Sequence, residues 1–275
     1  MSTVIALQEL ATGQQLNLNP HPRRQDWFEG PLPQRSLLQE RQHRREQLAI
    51  AFRLFARHGL HIGMAGHITA RDPEWSDHFW VNPLGINFSQ IKVSDLLLVN
   101  SAGEIVVGKG PLNRAAFAIH AALHEARPDV VAAAHTHSTY GKAWSTLGRL
   151  LDPLTQDACS FYEDHALFED YSGVVLETDE GERIAQVLGQ RKAVILKNHG
   201  ILTAGPSIEA AAWWYIALEN VCHTQLLAEA AGTPQPISHE VAVRTHAQIG
   251  GPGGAFHTFR DLAAVIVRDE AEVLQ

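Results

Sequence analysis

Two short apolar runs that each end on histidine constrain this chain more than any other feature. Residues 130–133 read Val-Val-Ala-Ala and lead into Ala134-His135-Thr136-His137. Residues 193–196 read Ala-Val-Ile-Leu and lead into Lys197-Asn198-His199-Gly200. Each is read as a strand, and in a strand the side chains at i and i+2 leave from one face. His135 and His137 can therefore close on a single metal ion, for which Zn–N bonds run about 2.0–2.1 Å. His199 is a third candidate. With 16 histidines among 275 residues an HxH pair is not rare in itself, so the surrounding pattern has to carry the argument.

Residues 1–35 are rich in Gln, Pro and Asn, and Asn19-Pro20-His21-Pro22 and Gly30-Pro31-Leu32-Pro33 oppose regular structure. This predicts a poorly ordered N-terminal arm. A helix is expected from Ser36 as N-cap, with Leu48, Phe52 and Phe55 at helical spacing and Gly59 as its stop. Short strands are expected over 67–70, 79–81, 96–99 and 104–107, separated by turn residues such as Ser101-Ala102-Gly103. A helix follows over 114–126 and ends before Arg127-Pro128. After the HxH strand come a helix near 140–147, an irregular segment over 150–171, a strand at 174–177, a helix at 182–188 and the His199 strand. Ser207 then caps a long helix to about Ala230, closed by Gly232, with Ala211, Tyr215, Leu218, Cys222 and Leu226 as its buried stripe. Residues 236–275 read as a C-terminal tail in which Gly250-Gly251-Pro252-Gly253-Gly254 is a flexible hinge before a short helix near 259–267.

Mixed strands and helices with crossovers point to an α/β fold, a three-layer αβα sandwich around a central mixed sheet, over residues 36–235. Strand order does not follow from the sequence. Hydrophobic residues at 45% and charged ones at 19% describe a globular protein with ample core. The formal net charge of -8 argues against a nucleic-acid partner held by backbone neutralisation. No apolar run approaches the roughly 20 residues a membrane helix needs. Two cysteines, Cys159 and Cys222, fit a reducing compartment. No signal peptide is expected, and the cytoplasm is the default location.

The ordered set Gly66-His67-Ile68-Thr69, Asn82-Pro83-Leu84-Gly85, Ala126-Arg127-Pro128-Asp129, His135-Thr136-His137 and Asn198-His199-Gly200 resembles the class II aldolase/adducin family over roughly residues 40–232. The resemblance implies a single αβα domain, usually a homotetramer, with metal sites near subunit interfaces. It implies that His135, His137 and His199 hold a divalent metal, Zn²⁺ first and Fe²⁺ as the alternative. Neutral imidazoles suit either ion, and three ligands leave positions open for substrate oxygens.

The chain also departs from that pattern. The family's metal-ligating, proton-shuttling glutamate, nineteen residues before the first histidine of HxH, corresponds to Ala116. Asn113 lies about one helical turn earlier, but an amide is no general base. The small polar residues of the family's phosphate cradle correspond roughly to His67, Leu84, Arg114 and Ala115, with only Gly85 retained. Gly66, Leu84, Gly85, Arg114 and Gln156 are the substrate-binding candidates. The family's catalytic tyrosine falls near Gln156 by ungapped counting, with Tyr162 the nearest tyrosine. The catalytic candidates are His67, Asn113, Tyr162 and His165, and proton transfer falls to His67, Glu163, Asp164 or His165. His120, on the same helix as Asn113, is placed to orient a ligand.

Three readings stay open. One is a metal-dependent lyase, aldol-type or decarboxylating, on a small unphosphorylated oxo- or hydroxy-acid. The second is a non-haem Fe(II) oxygenase that oxidatively decarboxylates an aromatic 2-oxo or 2-hydroxy acid, chemistry that needs no carboxylate base. The third is a non-catalytic adducin-like interaction module, against which the acidic balance and the lack of a basic tail count.

Overall fold

A computed structural model describes residues 35–173 and 178–275 of the chain. The expected N-terminal arm, save Arg35, and the strand expected at 174–177 lie outside the described residues. Among those described, eight strands form one mixed sheet: β1 (Gly66–Arg71), β2 (Phe79–Val81), β3 (Leu97–Val99), β4 (Ile105–Val107), β5 (Ala132–Thr136), β6 (His165–Phe168), β7 (Ala193–Leu196) and β8 (Gly200–Gly205). Their order is β4-β3-β2-β1-β5-β8-β7-β6. Every neighbouring pair is antiparallel except β6 and β7.

The helices are α1 (Leu37–Arg57), α2 (Arg114–Ala126), α3 (Thr139–Ser145), α4 (Thr178–Leu188), α5 (Ile208–Ala231), α6 (His239–Ile249) and α7 (Pro252–Asp269). Strand alternation decides which face each covers. Ile68, Ala70, Ala132, Ala134, Ile195 and Ile201 pack with α1, α3, α5 and α7. Ala133, Val194, Leu196 and Leu202 pack with α2 and α4 on the opposite face. The three-layer αβα sandwich expected from the sequence is therefore the observed fold.

Local signals place the helix ends. Ser36 caps α1 in a capping box with Gln39, and Gly59 follows with φ +67°. The Ser207 side chain accepts from the Ala210 N–H, and α5 stops at Gly232. Of the expected stripe on α5, Ala211, Tyr215, Leu218 and Cys222 are fully buried.

The structure corrects three expectations. Residues 150–171 are not wholly irregular, because His165–Phe168 form β6. Nothing in that stretch alternates, and its strand character comes from pairing with β7. The His199 strand is two strands: β7 ends at Leu196 and the chain reverses through His199 into β8. Residues 236–275 are not a tail with one short helix. Gly250 caps the end of α6, Gly251 caps the start of α7, and Pro252 occupies the first turn of a helix that runs to Asp269. That helix buries Ala255, Phe259, Ala263 and Ile266 in the same core as α1 and α5, and this packing outweighs the glycines in its first turn.

Candidate metal centre

Strand parity in β5 aims His135. Ala134 points toward α5, so Ala133 and His135 face α2 and α4, and His137 follows one residue past the strand end. His199 arrives by a different route, in the three-residue turn between β7 and β8. Asn198 there has φ +60°, a left-handed conformation that asparagine tolerates. Gly200 follows, and a Cβ on it would lie 3.2 Å from the Thr136 carbonyl oxygen. The Asn-His-Gly order thus has a physical account: Asn makes the turn, Gly lets β8 close against β5, and the histidine between them is held over β5.

The three imidazoles converge, with one ligating nitrogen from each lying within 4.8 Å of the others. His137 Nε2 and His199 Nε2 are 3.0 Å apart with ring planes at 86°. His135 Nδ1–H donates to the Ile201 carbonyl at 2.9 Å, which leaves Nε2 as a bare lone pair. That atom is buried and has no hydrogen-bond partner. A buried acceptor left unmade costs about 1–3 kcal/mol, and a metal cation at the convergence point satisfies it. The donor set fits a divalent ion, and no carboxylate among the described residues joins the group.

Burial keeps these rings neutral, as ligation requires. It holds His135 well below the ordinary imidazole range, helped by the neighbouring histidines, pushes His199 down to about 4 and lowers His137.

Against the first two ligands lies a second set of buried imidazoles. His67, the cross-strand partner of His135, meets His120 of α2 through Nδ1···Nε2 at 2.8 Å. His120 Nδ1 meets Thr69 Oγ1 at 2.6 Å, and Thr69 Oγ1 meets His124 Nε2 at 2.9 Å. Desolvation pushes His67 and His120 far down and His124 to about 3. The unfolded chain therefore takes up protons below pH 6.5 that the folded chain refuses, so stability is lost as pH falls from about 6.5 toward 4. Each buried histidine contributes a slope of about 1.4 kcal/mol per pH unit in that window. Thermal midpoints of the metal-free protein measured from pH 8 to 4.5 are expected to be flat above 7 and to fall steeply below 6.5. A flat profile throughout would show that these rings are solvated.

A polar network from α5 supports the corner after β5. The Tyr215 hydroxyl donates to the Thr136 carbonyl at 2.8 Å. Glu219 accepts from Ser138 Oγ at 2.5 Å and from the backbone N–H groups of Tyr140 and Gly141 at 2.8 and 2.6 Å.

The other sequence-based candidates divide into two groups. Gly66 pairs with Thr136 beside the triad. Leu84 and Gly85 form a loop whose Leu84 N–H donates to the Pro111 carbonyl. Asn113 and Arg114 open α2, with the Asn113 carbonyl accepting from Phe117 N–H and Arg114 exposed. Ala116 lies within α2.

His165, Tyr162 and Gln156 are not brought to the triad. His165 pairs with Ala193 at the start of β7, the end opposite the His199 turn. Both its nitrogens are engaged, with the Phe161 carbonyl and the Leu151 N–H. Tyr162 lies just before that strand end and hydrogen-bonds His239 of α6. Gln156 is exposed in the turn leading toward it. Within this chain the segment doubles back to form β6, which sets these residues at the far end of the sheet from the His199 turn.

Sequence reasoning passed over Tyr171, whose ring centroid lies 6.3 Å from that of His199. The usable signal was topological: β6 and β7 are parallel, so the segments leaving their C-terminal ends emerge at the same edge of the sheet.

The pattern matches known proteins. The class II aldolase and adducin N-terminal domain matches residues 46–226. The chain belongs to the class II aldolase/adducin family. Decarboxylase NovR of Streptomyces niveus is 46% identical over 247 residues, covering 89% of this chain and 92% of that protein. The 4-hydroxy-3-prenylphenylpyruvate oxygenase/4-hydroxy-3-prenylbenzoate synthase of Streptomyces roseochromogenus subsp. oscitans is 48% identical over 227 residues, covering 82% of each. The solved structure of an L-fuculose 1-phosphate aldolase from Glaciozyma antarctica PI12 superposes with a TM-score of 0.84 at 42% identity, covering 90% of this chain and 98% of that one. Class II aldolases are typically divalent-metal enzymes acting on small molecules and are commonly oligomeric. No helix among the described residues is long and apolar enough to cross a membrane.

Proposed function

We propose that this chain uses a divalent metal held by His135, His137 and His199 to break the bond between the carboxyl group and the adjoining carbon of a small, unphosphorylated 2-oxo or 2-hydroxy acid. The observation that carries this reading is a three-histidine cluster that no carboxylate among the described residues joins. Aldol cleavage needs a base to take the proton of the hydroxyl that becomes a carbonyl, and Ala116 supplies none. Loss of carbon dioxide from a carboxylate requires no such base. When bound, the ion would supply Lewis-acid stabilisation where the bond broken leaves an enolate; with a 2-oxo or 2-hydroxy acid, whose loss of carbon dioxide would otherwise leave an unstabilised carbanion, dioxygen accepts the released electron pair. The chain's own part is to present three neutral nitrogens, hold His135 through the Ile201 carbonyl, and keep His67 neutral beside it.

The names of the two Streptomyces relatives support decarboxylation. The oxygenase name of one favours an oxidative form with Fe²⁺ and dioxygen; Zn²⁺ suits a non-oxidative lyase on an oxo acid whose cleavage leaves an enolate. The sugar-phosphate name of the structural neighbour is outweighed by Ala116 and by Leu84 in the former anion cradle. The unpartnered His135 Nε2 weighs against an adducin-like module without catalysis. A homotetramer in the cytoplasm completes the reading.

The test is metal analysis of protein purified without chelator or nickel resin, followed by carbon dioxide release and oxygen uptake with 2-oxo and 3-oxo acids. About one metal per chain with carbon dioxide release is expected. Oxygen uptake that tracks iron content selects the oxidative form, and release without uptake selects the lyase. Absence of bound metal, or vigorous cleavage of L-fuculose 1-phosphate, would overturn the proposal.

A further inference from the structure

A half-buried lysine stands beside the triad without a counter-ion. Lys142 lies on α3, in the turn of helix that follows His137, and its backbone N–H donates to the Ser138 carbonyl at 3.0 Å. Gly200, the residue after His199, shows where the side chain runs. A Cβ on Gly200 would lie 3.2 Å from the Thr136 carbonyl oxygen, 3.6 Å from His135 Cε1 and 4.0 Å from Lys142 Cγ. The stem of Lys142 therefore passes the point where the segments carrying all three ligating histidines come together. Its charge is close enough to help burial hold His137 neutral.

The ammonium of Lys142 makes no hydrogen bond or ion pair with any other described residue. Glu219, the acid packed against the same corner, spends its oxygens on Ser138 Oγ and on the N–H groups of Tyr140 and Gly141. Lys197, the other lysine of this edge, runs instead against Gly148, where its Cε would lie 3.2 Å from an added Cβ. Arg114 is exposed at the start of α2, and water screens its charge. No carboxylate among the described residues joins the histidine group either. With a divalent ion in place this corner would carry an excess of positive charge. A half-buried ammonium there gains most from an anion that brings its own acceptor oxygens.

We infer that Lys142 is the specificity residue for the acid group, its ammonium pairing with the carboxylate of the substrate presented at the three histidines. A neutral amide of the same shape gains no such pairing. The timing of the interaction decides its kinetic signature. In the bound acid the negative charge sits on the carboxylate, and it moves off those oxygens as neutral carbon dioxide forms. The ion pair is therefore strongest before the bond breaks, so it serves binding and does not lower the barrier from the bound state. That the anion is the carboxylate of a 2-oxo or 2-hydroxy acid rests on the function proposed above; the demand of Lys142 for a small anion does not.

The experiment uses the full chain as purified, and again after chelation, titrated by calorimetry without dioxygen. The probes are phenylpyruvate and its neutral primary amide. Lys142→Met is expected to weaken binding of the acid about 10–100-fold and to leave the amide unchanged, while Lys142→Arg should keep most of the acid affinity. Thermal melts and elemental analysis check that both variants fold and carry the metal of the parent. In turnover the KM of Lys142→Met should rise by a similar factor with kcat not reduced. Acid binding within about two-fold of the parent in Lys142→Met, an equal loss for the amide, no saturable binding of the acid to the parent in either state, or a fall in kcat at unchanged KM overturns the inference. Acid affinity lost in Lys142→Met, with no carbon dioxide released from any acid by the parent, would sink the proposed reaction and leave the anion site standing. Carbon dioxide release with Lys142→Met unaffected would do the reverse.

Discussion

Replacing His135 with alanine is expected to abolish metal binding while the fold survives. The ring is 1% exposed, so a large stability loss would be the ordinary expectation for a buried side chain. Two terms oppose each other here. The substitution removes the Nδ1–H bond to the Ile201 carbonyl, a loss of about 1 kcal/mol, and the packing of the ring. It also removes Nε2, an acceptor that the metal-free protein buries without a partner, and this relieves a comparable penalty. The metal-free variant should therefore melt within about 10 °C of the metal-free parent. Metal affinity has no such offset. Altering a group that merely supports a ligand typically costs about 10–100-fold, so losing a ligand should cost more, and bound metal should drop to background in elemental analysis. Full occupancy in the variant would mean that the cation sits elsewhere.

Glu219→Ala is expected to destabilise the fold strongly. Glu219 belongs to α5, far along the chain from HxH, yet its two oxygens receive the Ser138 hydroxyl and the N–H groups of Tyr140 and Gly141 at the start of α3. It is 7% exposed, so water does not readily replace it. Truncation leaves the two backbone N–H groups unmade, while the Ser138 hydroxyl keeps the Tyr215 hydroxyl 3.0 Å away, at a cost of about 2–5 kcal/mol in all, which corresponds to a fall of roughly 5–10 °C in the thermal midpoint. The corner it ties down carries His137, so metal affinity should weaken about 10–100-fold alongside. Glu219→Gln should recover only part of the stability, because one edge of the amide turns an N–H toward a donor. Calorimetry and metal titration check both effects. A wild-type midpoint in Glu219→Ala would show that the corner holds without α5.

Much of the site was legible because the relevant signals are local. The apolar runs before His135 and His199 are visible in sequence, and two-residue periodicity puts His135 on a single face with no knowledge of the partner strands. The turn chemistry of Asn198 and Gly200, and the caps at Ser36 and Ser207, are also decided within a few residues. The α2 helix follows from its apolar stripe, and the long helix α5, apolar nearly all round, from its Ser207 cap, its Gly232 stop and the uninterrupted run between them.

The features that the tertiary structure alone decided have no local cause. β6 is a strand only because β7 pairs with it, and that pairing carries His165 and Tyr162 to the end of the sheet away from His199 while bringing Tyr171 near it. α7 persists through Gly253 and Gly254 because α1 and α5 cover its apolar face. His120 and His124 look like ordinary helix residues until β1 sets Thr69 between them, and Glu219 resembles a solvated helix charge until α3 supplies its donors. The composition of short segments determined which residues could ligate. Pairing and burial over long sequence separations determined which of them meet, since those contacts depend on the path of the whole chain.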